Sequence, residues 1–117
     1  MEVQVFGVRK HSDVRKALRF FSDRRVKTHF VDFNIRGPSI GELRRFVDRF
    51  GVEKLIDRSS RQFSEMGLAP SRYGGAKWLE LLVAEPLLLR LPLVRHGNDV
   101  TIGLDEATWS AWWNARE

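Results

Sequence analysis

Polar and apolar residues alternate along two short segments near the N-terminus. Residues 2–6 alternate with Val3 and Val5 on one face, and residues 28–33 alternate in the same way. Because side chains of a strand point to opposite faces with a period of two, each segment predicts a half-buried β-strand. Gly7 is expected to end the first strand.

A helical pattern lies between these two strands. Ser12 is the expected N-cap, with Asp13 in the first turn, and the helix is expected to run to about Asp23. Its apolar positions recur at intervals of three and four: Val14, Ala17, Leu18 and Phe21. A strand, a helix and a second strand of this length predict a right-handed crossover with parallel strands.

Helices are predicted for the middle of the chain, from about residue 39 to about residue 86. Ser39 and Glu42 have the spacing of a capping box, and the helix that they begin is expected to end at Gly51. Its apolar face is predicted to be Ile40, Leu43, Val47 and Phe50. Short helical turns are expected over residues 52–68, around a polar loop at 58–61. A further helix is expected to contain Trp78 and Leu82 and to end near Pro86.

A β-hairpin is predicted near the C-terminus. Residues 91–94 and 100–102 have strand character, and residues 96–99 supply turn chemistry between them. Pro92 begins the hairpin and is a candidate for a cis peptide bond. Asp105 is expected to cap a last helix. Of its adjacent residues Trp112 and Trp113, one is expected at the surface, where it would mark an interface.

The order of these elements predicts the fold class, α/β, with a mixed four-stranded sheet and helices on both of its faces. At 117 residues the chain is long enough for a single domain, 1–117, with the helical segment of about 39–86 inserted in it. The sequence contains neither a segment suited to spanning a membrane nor the pattern of a signal peptide, so a cytoplasmic location is expected.

The absence of cysteine limits the chemistry of the chain. With no cysteine, the chain forms no disulfide, no thiolate zinc site and no thiol nucleophile. The histidines His11, His29 and His96 are far apart in the predicted topology and have no carboxylates at ligand-like spacing. We therefore expect no metal site, and the sequence indicates no cofactor.

A net charge of +5, from 20 basic and 15 acidic residues, is compatible with nucleic-acid binding. The basic residues, however, come in pairs such as Arg15–Lys16 and Arg44–Arg45 that are mixed with acidic residues. On a helix this mixing is typical of a solvated surface. No direct nucleic-acid binding is predicted from the charge.

Three segments resemble those of the ArsC family, which comprises thioredoxin-fold arsenate reductases and their relative, the transcriptional regulator Spx. They are residues 5–17, residues 55–63, and residues 86–93 followed by Ile102–Gly103. The first resembles the family pattern of a strand, a glycine, a catalytic cysteine and a helix that opens with Lys-Ala. The resemblance covers nearly the whole chain and implies a thioredoxin-like fold.

The same resemblance shows that the family's reactive group is missing. The nucleophilic cysteine of ArsC enzymes follows the glycine by four residues, a position held here by His11, and the second cysteine of the Spx redox switch corresponds to Val14. An imidazole forms no mixed disulfide and carries no reducing equivalents. No catalytic residue is therefore predicted, and His11 is a degenerate nucleophile position.

The resemblance also implies an oxyanion pocket built from basic side chains and the start of the first helix. Arg90 matches the family's arginine just before the hairpin proline, and Arg58 and Arg61 flank the position of the other basic residue. At the helix start, Lys10, His11 and Ser12 are the candidates. The alternative reading is that Arg90 and Arg58 form ion pairs or cover apolar surface.

Two classes of function follow. The first is a non-redox binding or regulatory module that, like Spx, contacts a protein such as the C-terminal domain of the RNA polymerase α subunit. The second is an arsenate reductase-like oxidoreductase that uses an external thiol, or an oxyanion-binding protein without turnover. No membrane partner is expected.

Overall fold

Four strands form one mixed sheet in the order β2-β1-β3-β4. Strand β1 (Glu2–Gly7) pairs in parallel with β2 (Lys27–Asp32) and antiparallel with β3 (Leu93–His96), which in turn pairs antiparallel with β4 (Asp99–Ile102). The predicted parallel pair and the predicted hairpin are both present. The fold is α/β, as the sequence predicts.

The computed structural model describes residues 1–116, and its internal contacts divide the chain into two units. The sheet unit comprises Met1–Arg36 together with the chain from Leu91 onward, and the helical unit comprises Gly37–Arg90. The helical segment expected from the sequence lies within the helical unit. In residues 1–116, no helix is long and apolar enough to cross a membrane.

Helices α1 (Ser12–Asp23) and α6 (Glu106–Ala115) pack against one face of the sheet. The core between them and the strands contains Val3, Val5, Ala17, Phe20, Phe21, Val26, Val94 and Trp109. The indole Nε1 of Trp109 donates a hydrogen bond to Thr101 Oγ1 at 2.8 Å, which satisfies a buried hydroxyl. The predicted cap of α6 is also present, because an Asp105 carboxylate oxygen accepts from Thr108 N.

The expectation for the adjacent tryptophans was wrong, because neither lies fully at the surface. Trp112 and Trp113 are both half-buried against the sheet-unit core. The ring of Trp112 lies 5.3 Å from that of His96, and the guanidinium of Arg116 covers the ring of Trp113. The ring of each indole is therefore in contact with a neighbouring side chain.

The hairpin between β3 and β4 has a two-residue turn. His96 pairs with Asp99, and Gly97, the first of the two central residues, has a φ of +60°. Glycine is the usual residue at this position because a side chain would strain the backbone there. The Leu91–Pro92 peptide bond before β3 is cis.

The helical unit contains α2 (Ile40–Phe50), α3 (Val52–Leu55), α4 (Arg61–Glu65), α5 (Gly75–Ala84) and a 3-10 turn at Pro86–Leu88. The predicted capping box is confirmed: Ser39 Oγ accepts from Glu42 N, and Glu42 Oε1 accepts from Ser39 N. The helix ends at Gly51, which has a φ of +81°.

The predicted apolar face of α2 needs correction at two positions. Ile40 is 47% exposed, whereas Phe46, which the sequence interpretation omitted, is 1% exposed. Phe46 lies three residues after the buried Leu43, so these two side chains share one side of the helix. Ile40, at the first helical position, is left at the surface.

Candidate functional site

The loop between β1 and α1 ends at His11, which caps the helix. Asp13 N donates a hydrogen bond to His11 Nδ1 at 3.2 Å, and His11 N donates to Val8 O at 3.2 Å. The predicted N-cap, Ser12, is instead the first helical residue and is exposed. His11 can cap the helix because its Nδ1 atom is separated from Cα by the same number of bonds as the capping oxygen of asparagine or aspartate.

Gly7 allows α1 to approach the end of β1 closely. A Cβ atom at this position would lie 2.6 Å from Val14 Cγ2, well inside van der Waals contact. The sequence suggested only that Gly7 ends the strand. The structure shows that the missing side chain also sets the distance between the strand and the first turn of the helix.

The basic residues of this loop have different surroundings. Arg9 stacks over the ring of Phe30, with its guanidinium carbon 4.6 Å from the ring centre, and its carbonyl oxygen accepts from Arg15 Nη1 at 2.9 Å. Lys10 is exposed and forms no ion pair among the described residues. Lys10, His11 and Ser12 are thus consecutive residues around the start of α1, where backbone N–H groups and the helix dipole favour anions.

Two of the predicted arginines of the helical unit are engaged in ion pairs. Arg58 Nη2 lies 2.8 Å from Glu53 Oε2, and Arg61 Nε lies 2.6 Å from Glu65 Oε1. Arg58 also lies close to the rings of Phe63 and Trp78. The contacts of Arg58 match the alternative reading, in which it forms an ion pair or covers apolar surface, and Arg61 forms an ion pair of the same kind.

Arg90 is held by backbone carbonyls. Its Nε donates to Lys54 O and its Nη2 donates to Ile56 O, each at 3.3 Å. The backbone of the same segment is joined to the segment after α3, since Arg90 N donates to Leu55 O at 2.8 Å and Ile56 pairs with Leu89 in an isolated bridge. Within residues 1–116, Arg90 has no carboxylate partner, so its charge is not compensated by an ion pair.

The candidate residues fall into two sets. Lys10, His11 and Ser12 belong to the sheet unit, and the three arginines belong to the helical unit. Within the helical unit, Arg58 and Arg90 both contact residues 53–56, whereas Arg61 pairs along its own helix. The sequence indicated these residue types but gave no means to tell which arginine already had an acidic partner.

One polar cluster was not predicted as a site. Gln4 Oε1 accepts a hydrogen bond from Arg95 Nη1 at 2.8 Å, and His29 Nε2 lies 2.8 Å from Glu2 Oε1. The signal was available, because the alternation that puts Val3 and Val5 in the core puts Glu2 and Gln4 on the opposite face. The pairing partners come from β2 and β3, and the sequence alone does not fix the register that brings them together.

The sheet order β2-β1-β3-β4, the crossover helix α1 and the cis proline before β3 define a thioredoxin-like α/β protein. A sequence model described as the ArsC family matches residues 6–112. The chain belongs to the ArsC family.

Individual comparisons agree with this assignment. The uncharacterized protein YusI of Bacillus subtilis is 24% identical over 117 residues, covering 97% of this chain and 99% of that protein. Among solved structures, a YFFB protein superposes with a TM-score of 0.86 at 22% identity, covering 93% of this chain and 96% of that one. An arsenate reductase from Vibrio cholerae superposes with a TM-score of 0.76 at 20% identity, covering 88% and 90%. At these identities the superpositions show a shared fold.

Proposed function

We propose that this chain is a non-redox member of the ArsC family that acts by binding a partner. The observation that carries the proposal is the role of residue 11. At the position that the resemblance assigns to the nucleophile, His11 uses its Nδ1 atom to cap α1, and the chain contains no cysteine elsewhere. A residue occupied in this way holds the loop in place and supplies neither a thiolate nor electrons.

The surroundings of the arginines support the same proposal. Arg58 and Arg61 pair with glutamates at hydrogen-bonding distance, and an arginine engaged in this way is less available to an incoming anion. A reductase would need such side chains to bind its substrate. A binding module needs only that the scaffold be folded and that its surface fit the partner.

The proposed partner is the C-terminal domain of the RNA polymerase α subunit, by similarity to Spx. Helix α2 offers a surface suited to an acidic protein: Arg44, Arg45 and Arg49 are all exposed. The exposed Ile40 lies one turn before Arg44, so an apolar side chain and a guanidinium are neighbours on the helix. We propose this surface of α2 as the contact.

A titration of the purified polymerase domain into the purified full chain tests this proposal. We expect saturable binding with a dissociation constant of tens of micromolar or tighter, about −6 kcal/mol or better. Arg44→Glu combined with Arg45→Glu should weaken binding at least about tenfold, because the charges at the contact are reversed. Arg72→Glu is the matched control, since Arg72 is exposed in the same unit and has no ion pair among the described residues.

The outcomes are distinct. Binding that weakens in the α2 double variant and persists in Arg72→Glu supports the proposed surface. No binding at tens of micromolar contradicts the polymerase partner, and equal weakening in both variants contradicts the contact through α2.

A second candidate function is oxyanion binding, and the uncompensated guanidinium of Arg90 favours it. In an arsenate reductase-like version, two molecules of an external thiol such as glutathione would supply two electrons and two protons and become a disulfide, while arsenate is reduced to arsenite and one of its oxygens leaves as water. The Arg90 side chain would hold the anion. Arsenate binding without thiol oxidation would indicate oxyanion binding alone, whereas coupled oxidation would indicate reductase activity.

A further inference from the structure

A groove lies on the side of the sheet that faces away from α1 and α6. It has a volume of about 570 Å³ and lies entirely within the sheet unit. Its lining residues are Glu2, Val3, Gln4, His29, Val31, Arg95 and Gly97. This volume is within the range of pockets that hold small molecules.

A guanidinium oriented by two hydrogen bonds lines the groove. Arg95 Nη1 donates to Gln4 Oε1 at 2.8 Å, and Arg95 Nε donates to Gly97 O at 2.9 Å. Both acceptors are neutral, and Arg95 forms no ion pair in the part of the chain that the structure describes. The side chain is therefore oriented while its positive charge and its Nη2 donors remain available.

A carboxylate that pairs with a histidine also lines the groove. Glu2 Oε1 lies 2.8 Å from His29 Nε2, and the carbonyl oxygen of Glu2 lies 3.1 Å from His96 Nδ1. One carboxylate oxygen of Glu2 is thus paired, and the second oxygen can accept a further hydrogen bond. The groove presents a positive group and a negative group at once.

We propose that this groove binds a small zwitterion of the amino-acid type. Its carboxylate would pair with Arg95, for which a carboxylate is the geometric complement, and its ammonium group would lie toward Glu2. A phosphate dianion fits less well, because the Glu2 carboxylate would repel its second charge. None of the residues that line the groove belongs to the start of α1 or to the helical unit.

Two-dimensional NMR titration of the full-length chain tests the proposal with defined probes. Glycine and 4-aminobutyrate carry both charged groups, acetate carries only the carboxylate, and inorganic phosphate is the competing anion. We expect saturable shifts of the Gln4, Arg95 and Gly97 amides with a dissociation constant below about 1 mM for at least one amino acid. Acetate should bind at least about threefold more weakly, because it lacks the group that faces Glu2.

Arg95→Gln is expected to weaken amino-acid binding at least about tenfold, since it removes the charge that the carboxylate would contact. Arg19→Gln is the matched control, because Arg19 is an exposed arginine on α1 that does not line the groove. If Arg95→Gln does not fold, Gln4→Ala replaces it. That variant frees Nη1 of Arg95 and should weaken binding about threefold by loosening the guanidinium.

Saturable binding that is reduced by Arg95→Gln or Gln4→Ala and retained by Arg19→Gln would support the site. The absence of saturation up to about 10 mM of every amino acid, or binding unchanged in Arg95→Gln or in its substitute Gln4→Ala, would overturn it. Tighter binding of phosphate than of any amino acid would overturn the assignment of the ligand class. None of these outcomes depends on binding to the polymerase domain.

Discussion

His11 Nδ1 accepts a hydrogen bond from the backbone N–H of Asp13 at 3.2 Å, and this bond defines the start of α1. The first N–H groups of a helix have no partner within the helix, so a capping side chain stabilises them. In this chain the capping residue stands where the resemblance to arsenate reductases places the nucleophile. At the position that the resemblance assigns to the nucleophile, this chain therefore has a helix cap and no thiol.

Replacing His11 by alanine should destabilise the protein by about 1 kcal/mol, because the cap is lost. The measurement is urea unfolding followed by tryptophan fluorescence. His11→Asn is the control, since its side-chain oxygen reaches the same N–H and should keep most of the stability. Equal stability of the alanine variant and the parent would mean that the cap contributes nothing.

A thiol introduced at this position should be reactive. His11→Cys places a sulfur at the N-terminal end of α1, where the N–H groups and the helix dipole favour a thiolate. We expect alkylation by iodoacetamide at least about tenfold faster than in Ser22→Cys, which places an exposed thiol in the last turn of the same helix. Similar rates in the two variants would argue against an anion-favouring position at residue 11.

A larger residue at Gly7 is expected to destabilise the protein. Gly7→Ala puts a methyl group 2.6 Å from Val14 Cγ2, and the stiff β-branched valine has little room to move, so a loss of about 1–3 kcal/mol is expected. Gly74→Ala is the control, because nothing lies within 4 Å of its added methyl group. The double variant Gly7→Ala with Val14→Ala should lose less stability than the sum of the losses in the two single variants. An unfolding midpoint of Gly7→Ala equal to that of the parent would contradict this account of the close approach.

The buried bond between Trp109 and Thr101 can be measured with a double-mutant cycle. Trp109→Phe removes the Nε1 donor, leaves the Thr101 hydroxyl buried without that partner and should reduce stability by about 2 kcal/mol or more. Thr101→Val removes the hydroxyl that accepts the hydrogen bond. If the bond matters, the loss in the double variant is smaller than the sum of the single losses by about 1 kcal/mol, whereas strict additivity would show that the two groups are not coupled.

Much of the fold could be predicted because local rules and burial agree. The alternation around Val3 and Val5, the capping box at Ser39 and the turn at Gly97 each correspond to an observed element. The predictions that were wrong concern single positions. Ile40 is at the surface and Phe46 is buried. The buried side of α2 is the side that neighbouring elements cover, and the periodicity of the sequence alone does not identify that side.

The candidate site was harder to predict than the fold. The sequence drew attention to Arg58, Arg61 and Arg90 but could not show that two of them pair with glutamates while the third is held by carbonyl oxygens. The contact between Gln4 and Arg95 joins residues 91 positions apart, and it depends on the register of β1 and β3. Such pairs follow from strand pairing, which a single sequence specifies only weakly.

The most direct test of the central claim is the rate of arsenate reduction by the purified protein in the presence of glutathione. If the chain is a non-redox member of its family, thiol oxidation with the protein should equal the rate in buffer at every arsenate concentration. A rate above background that requires both arsenate and glutathione, and that falls at least about tenfold in Arg90→Ala, would contradict it.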